Sequence, residues 1–358
     1  MKKIDSLQGI RFYLAVLVFL CHLNTVLVSE QGKKVFESFC NNGNYAVTFF
    51  FVLSGFCMAL GYSERFYECT GKEWWCYIKK RIIKIYPLYM LTMFIAMLCK
   101  IGLDFRLSTI LRGTAHFLFG ATMLQSIIVK YWGILNSVCW YISCIICLYV
   151  ITPLVIKKLH TIRKNMVKLM KLLIVLFLIL VVLIVSTSFA FSKYMWETTV
   201  YISPFFRVFY YLIGLILGYI RQLKSKRAFW GKCELPILIV MLMFFFIGMH
   251  FDTLNPYMSL IYVAIFSIAI FIFSYEEGRI SKFFANKFNV YLGGLSMEIY
   301  MIHYLIVHYG GLYIQKKFHF SFEVEILMCI LFFFITFCLA MGYNKLEVFL
   351  RKRSIVNL

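Results

Sequence analysis

Charge is scarce in this chain of 358 residues: Asp, Glu, Lys and Arg make up 15%, apolar residues 62%, and proline occurs only 5 times. A soluble domain carries roughly a quarter charged and half apolar residues. With a mean hydropathy of +0.82, a water-soluble fold is excluded. Long polar segments are missing as well: the stretches between apolar runs reach about 33 residues at most, so any chemistry must be done inside a membrane bundle. No internal repeat or low-complexity tract is evident, which speaks against a transporter built from inverted repeats. The first apolar stretch is too long for a secretory signal, carries Arg11 and lacks a small-residue cleavage pattern, so it reads as a first span. Twelve cysteines are present, but Cys21, Cys57, Cys99, Cys139, Cys144, Cys147, Cys329 and Cys338 lie within apolar runs, where a thiol behaves as a small hydrophobe. No disulfide framework follows. The C-x-x-C of Cys144 and Cys147 has no second pair, and no metal site is expected.

What the chain has is apolar runs of about 18 residues or more, the length that spans roughly 30 Å of hydrocarbon. Ten spans are predicted, near 9–28, 44–62, 82–101, 135–156, 172–191, 203–220, 235–250, 256–274, 289–310 and 326–343. The expected fold is an all-α polytopic membrane protein, a single integral-membrane domain over 1–358 with no fused soluble domain. The net charge of +21 could suggest nucleic acid, but basic residues in short loops between spans are the mark of cytoplasmic loops. With the N-terminus inside, 26 of the 37 Lys and Arg fall in inner segments and 9 in outer ones, which predicts both termini cytoplasmic. The apolar stretch from His116 to Val129 is too short to cross. Counting it as a span would put the basic loop from Lys157 to Lys171 outside, so it is expected to be re-entrant or to lie on the outer surface.

Ionisable residues inside apolar spans are costly and therefore mark function. They are Arg11, His22, Arg207, His250, Glu298, His303 and His308. Arg11 and His22 are eleven residues apart, about 20° from three full helical turns and roughly 16 Å along the axis, so they share one face at two depths. A guanidinium near the inner end suits a phosphate or carboxylate, and an imidazole in the outer half suits general acid–base work. The alternative is a snorkelling Arg and a His satisfied by a neighbouring helix. His22 and His303 lie at nearly equal depth, roughly 20 Å from the inner ends of their helices, so a shared cavity is expected.

The stretch from Asp5 to His22 resembles the opening of the integral-membrane acyltransferase 3 family, marked by an Arg and a His with ten residues between them in the first helix. Later segments are similar to the family's landmarks in order. These are Asn44 to Ser54-Gly55-Phe56, the basic Lys80-Arg81 with Lys84 followed by Tyr86-Pro87, Trp140 through Tyr149 to Pro153, Pro204 to Arg207 with Gly214 and Gly218, and Ser296 through Glu298 and Tyr300 to His303. Two departures stand out. Many members carry a Glu shortly after the Trp140 position, where this chain has Cys144, Ile145 and Ile146, and another just after the sixth-helix Arg, where it has Tyr210.

The resemblance implies transfer of an acyl group, usually acetyl, from a cytoplasmic donor such as acetyl-CoA to a hydroxyl of an extracytoplasmic polysaccharide or lipid-linked glycan, in the plasma membrane of a bacterial cell. On this reading His22 and His303 are catalytic, and Arg11, Arg81 and Lys84 bind the donor. Arg81 and Lys84 are one turn apart, as a phosphate clamp requires, or else they are ordinary inner-loop charge. Trp140, Tyr149, Arg207, Ser296, Glu298 and Tyr300 are candidate substrate contacts. Packing or interface roles are the alternative for the three rings and Ser296, while Glu298 either balances a buried cation or sits near the inner interface. No metal and no nucleic acid is expected; membrane lipids, the acyl-CoA and the glycan are the partners. The competing function is a transporter or flippase of a lipid-linked sugar, with the same residues moving substrate without chemistry.

Overall fold

The computed structural model describes residues 3–224, 229–251, 255–318 and 320–356. Lys2, Lys226 and Arg227, counted above as inner-loop cations, lie outside the described residues, as do the side chains of Lys352 and Arg353. The principal helices are α1 (Asp5–Leu20), α2 (Ala46–Tyr62), α3 (Gly71–Leu103), α4 (Leu107–Gly120), α5 (Trp140–Leu159), α6 (Met166–Ala190), α7 (Pro204–Leu223), α8 (Glu234–Gly248), α9 (Pro256–Phe273), α10 (Lys287–Gly294), α11 (Ser296–Tyr304) and α12 (Phe322–Val356). No strand occurs among the described residues. In lipid this is expected, because a helix satisfies its backbone internally.

Among the described residues, nine helices are long and apolar enough to cross a membrane, and ten if one bent pair counts as a span. That pair differs from the straight span predicted at 289–310. Its first part ends at Gly294, Leu295 stands between the two parts with φ near −86° and ψ near −1°, and the chain resumes at Ser296 with a 43° bend. The stretch from His116 to Val129 ends α4 and then turns, and α4 is not among the nine. The Tyr89 hydroxyl, on α3, holds the end of α4 by donating to the Gly120 carbonyl at 2.6 Å.

Where apolar contact with lipid and with protein are nearly equivalent, close backbone approach decides which helices pair. A Cβ added at Gly55 would collide with the Tyr211 carbonyl, and one at Gly214 with the Val52 carbonyl. Helices α2 and α7 therefore touch backbone to backbone, and nothing larger than glycine fits at those two points. α1 meets α10 in the same way, with Gly293 against the Gln8 carbonyl.

Carboxylates are few, and three of them tie loops to helices. Glu276 accepts from the Ser6 amide at 2.9 Å and caps the start of α1. Buried Glu234 accepts from the amides of Gly278, Ile280 and Ser281 at 2.8, 3.0 and 3.0 Å. Glu325, at the start of α12, accepts from the amides of Val28 and Ser29 beyond the far end of α1, at 3.1 and 2.8 Å. Near the other end of α12, Asn344 bonds Glu298. α12 thus runs antiparallel to α1, and the start of α1 and the end of α12 lie at the same face of the bundle.

Candidate active site

Two cavities lie along the bundle axis between α1, α2, α5 and α11. The first, about 80 Å³, is lined by Arg11, Ser54, Tyr141, Tyr149, Ser296 and Tyr300, with Phe50 and aliphatic neighbours. The second, about 330 Å³, is lined by His22, Asn44, Trp132, Trp140, Glu197, Tyr201, Tyr300, Tyr304 and His308 among others. Each helix contributes a stripe at helical spacing: Arg11, Val18 and His22 from α1 and its end; Val47, Phe50 and Ser54 from α2; Tyr141, Ile145 and Tyr149 from α5; Ser296, Tyr300 and Tyr304 from α11. On α1, α2 and α11 one row of side chains therefore runs from the small cavity to the large one, while the α5 row lines the small cavity.

His22 stands just past the end of α1, where the chain turns into a short 3₁₀ segment, and lines the large cavity. Its Nδ1 is 2.9 Å from the Val18 carbonyl oxygen and 3.3 Å from Nε2 of His303, whose own Nδ1 is 3.0 Å from the Ile299 carbonyl oxygen. Carbonyl oxygens only accept, so both Nδ1 atoms carry the hydrogen. His303 Nε2 is then an acceptor for the His22 Nδ1–H, and His22 Nε2 keeps its lone pair. His303 is fully buried behind His22 and does not line the cavity. The arrangement is a base whose tautomer the Val18 carbonyl sets, with a second imidazole beside it as a further, longer acceptor.

At the other end, half-buried Arg11 lines the small cavity and donates to the Gln8 side chain at 3.1 Å. Arg81 does not line either cavity. Its guanidinium sits 5.1–5.4 Å from the rings of Tyr62, Tyr77 and Tyr149 and donates to the Tyr62 hydroxyl at 3.1 Å. Lys84 is exposed one turn on, close enough to Arg11, Arg81 and Arg351 for their charges to act on its own. Several cations thus gather around Lys84, next to the Arg11 that lines the small cavity. Such a cluster suits a polyphosphate group.

The remaining sequence candidates divide. Trp140 and Tyr300 line the large cavity, and Tyr149, Ser296 and Tyr300 the small one. The Ser296 hydroxyl is buried with no hydrogen-bond partner, so it is a free polar group at the small cavity. Arg207 lies behind the wall, 1% exposed; its Nε donates to the Tyr201 carbonyl at 2.6 Å, and its guanidinium carbon is 4.2 Å from the Tyr201 ring and 4.6 Å from that of Tyr210. Tyr210 occupies the position where many members of the resembled family carry Glu, so aromatic faces replace a carboxylate beside this cation. Glu298 lines neither cavity and accepts from Asn344 at 2.9 Å. Tyr141, Tyr304, Trp132 and Glu197 line cavities without having been singled out. Tyr304 was within reach of the sequence, lying four residues after Tyr300 and four before His308.

A family model described as an acyltransferase domain matches residues 4–344, nearly the whole chain. The chain belongs to the acyltransferase 3 family. Among curated proteins it is similar to the acyltransferase MdmB of Streptomyces mycarofaciens, 33% identical over 96 residues, which is 26% of this chain and 23% of that relative. The chain therefore matches less than a quarter of that relative's length. No solved structure matches it. The family and the apolar helices together make this chain a multi-pass membrane member of the acyltransferase 3 family.

Proposed function

We propose that this protein moves an acyl group, acetyl in the first instance, from a cytoplasmic acyl-CoA to a hydroxyl of an extracytoplasmic polysaccharide or lipid-linked glycan. The observation that carries the reading is the paired stripe on α1. Arg11 lines one cavity, His22 lines the other with a free Nε2 lone pair, and the Val18 carbonyl fixes its tautomer with His303 beside it. The excess of Lys and Arg on the face where α1 begins and α12 ends supports placing that face in the cytoplasm of a bacterial plasma membrane.

The cations around the small cavity hold the donor's phosphates, and the narrow space beyond Arg11 admits a thin thioester arm but no sugar. The large cavity, with six aromatic rings and several hydrogen-bonding groups, suits a carbohydrate ring presenting a hydroxyl. His22 Nε2 takes the hydroxyl proton as the oxygen attacks the thioester carbonyl. The new C–O bond forms, the C–S bond breaks, and the imidazolium returns the proton to the departing sulfur, leaving an ester and a free thiol. His303 Nε2 receives the hydrogen bond that holds the base in register.

Membranes containing the protein, given acetyl-CoA labelled in the acetyl group, are expected to form an alkali-labile labelled glycan. A reporter fused after Lys164 is expected to read cytoplasmic. Absence of labelled ester alongside movement of a lipid-linked sugar would replace this reading with the transporter.

A further inference from the structure

Among the residues lining the two cavities, Tyr300 is the one they share. On α2, Val47 lines the large cavity and Phe50, nearly one turn away, the small one; on and just before α5, Val138 and Trp140 line the large cavity and Tyr141 the small one. The division falls at one level on each helix, and at that level α11 places the Tyr300 ring. The ring is 5% exposed and meets Tyr141 edge to face with centroids 5.4 Å apart. Its hydroxyl donates to the Val138 carbonyl at 2.8 Å, so a single hydrogen bond latches it to the opposite wall. One turn before it the Ser296 hydroxyl is unpartnered at the small cavity, and one turn after it Tyr304 lines the large one.

Resting on the donor and acceptor assignment above, we infer that Tyr300 is a selectivity partition. Its ring closes the Arg11 cavity against the His22 cavity, limits the acyl group to a short chain, and keeps outer water from the thioester for as long as it is latched. The room for it to swing is the large cavity itself, which an acceptor fills only after the arm has passed. A hydrophobic wall of this kind discriminates by about tenfold or more per added methylene. Water that slips past an unlatched ring would cleave the thioester to free carboxylate and CoA thiol, with no ester formed on the glycan.

The test uses the full-length protein in membranes carrying its glycan, with acetyl-, propionyl- and butyryl-CoA, and in sealed proteoliposomes without any donor. Tyr300→Ala is expected to raise butyryl over acetyl use by about tenfold or more and to shorten the life of an imposed pH gradient in the donor-free liposomes. Tyr300→Phe, which keeps the ring and loses only the latch, is expected to keep the acetyl preference while releasing more acetate without acceptor. The phenylalanine variant decides the matter if the alanine variant does not accumulate. Wild-type chain preference or gradient lifetime in Tyr300→Ala overturns the partition, as does wild-type acetate release in Tyr300→Phe. A wild-type protein that transfers no acetyl at all removes the donor and acceptor assignment and the partition with it. Normal transfer by the wild type, with unaltered variants, removes the partition alone.

Discussion

The two cavities differ in size by about fourfold and in the polar groups set among their aromatic rings. The smaller is bordered by a guanidinium, the rings of Phe50, Tyr141, Tyr149 and Tyr300, the Ser54 and Ser296 hydroxyls and aliphatic side chains, with further cations beyond Arg11. The larger is walled by aromatic rings and holds both faces of hydrogen-bonding chemistry, with His22, Asn44, Glu197 and His308. A single site for one substrate would not need such unlike halves. Under the proposed function their difference means that the bundle serves two reactants of different shape, one anionic and thin, one broad and polar, whose reacting atoms meet where the halves join.

The strongest way to break that comparison is at His22. His22→Ala is expected to lower transfer by 10²–10⁴-fold, the usual value of a general base, while donor binding measured directly stays near wild type. Replacing His303 sharpens the point, because it touches His22 and not the cavity. His303→Ala is expected to lower kcat by about tenfold, the loss of one positioning hydrogen bond. His303→Gln, whose amide oxygen can still accept from His22, should recover part of kcat with KM unchanged. The small cavity is tested at Arg11: Arg11→Ala is expected to raise the donor Kd by about 10- to 100-fold, as for a hydrogen bond to a charged group, with the acceptor KM unmoved. Arg11→Lys should restore only part, since an ammonium lacks the planar fork. In the large cavity, Trp132→Ala is expected to raise the acceptor KM several-fold and leave donor binding alone, the modest contribution of one stacking ring.

The smallest effect belongs outside the membrane, at the loop ion pair of Glu64 with Arg163, 2.5 Å apart. The hydrogen bond from Arg163 holds the Glu64 carboxyl below its ordinary value. Its contribution to stability is therefore complete above the usual carboxylate range, about pH 4–5, and fades as pH falls below it. Exposed pairs contribute little. Glu64→Gln should leave transfer at wild-type level and slightly lower thermal stability at pH 7, with the difference vanishing in acid.

Much of this was legible in the sequence because membrane burial exaggerates the signals. Ten apolar runs announced the helices, and the eleven-residue interval from Arg11 to His22 put both on one face at two depths. Equal helix depth also brought His22 and His303 to the same level, and the structure sets their rings 5.0 Å apart. What stayed hidden depends on contacts between distant segments. The capping roles of Glu234, Glu276 and Glu325 depend on which loop each helix end meets, and no local pattern encodes that. The break at Leu295 is written in a Gly-Gly pair, but its consequence, Ser296 left without a partner at the small cavity, needs the packing of α10 on α1. Arg207 looked like a substrate contact because a charge in a span marks function. Its placement behind Tyr201 and Trp140 follows from four aromatic rings converging from α2, α5 and the α7 region, which linear spacing does not reveal.

The central claim is that an acyl group passes through the bundle from the Arg11 side to His22. Sealed inside-out membrane vesicles test it most directly, because acetyl-CoA added outside them reaches only the cytoplasmic face. The account predicts that wild-type vesicles place labelled acetyl on a glycan enclosed in the lumen, and that His22→Ala vesicles bind the donor without doing so. Label on a glycan exposed at the face where the donor was added, or full luminal labelling by His22→Ala, would contradict it.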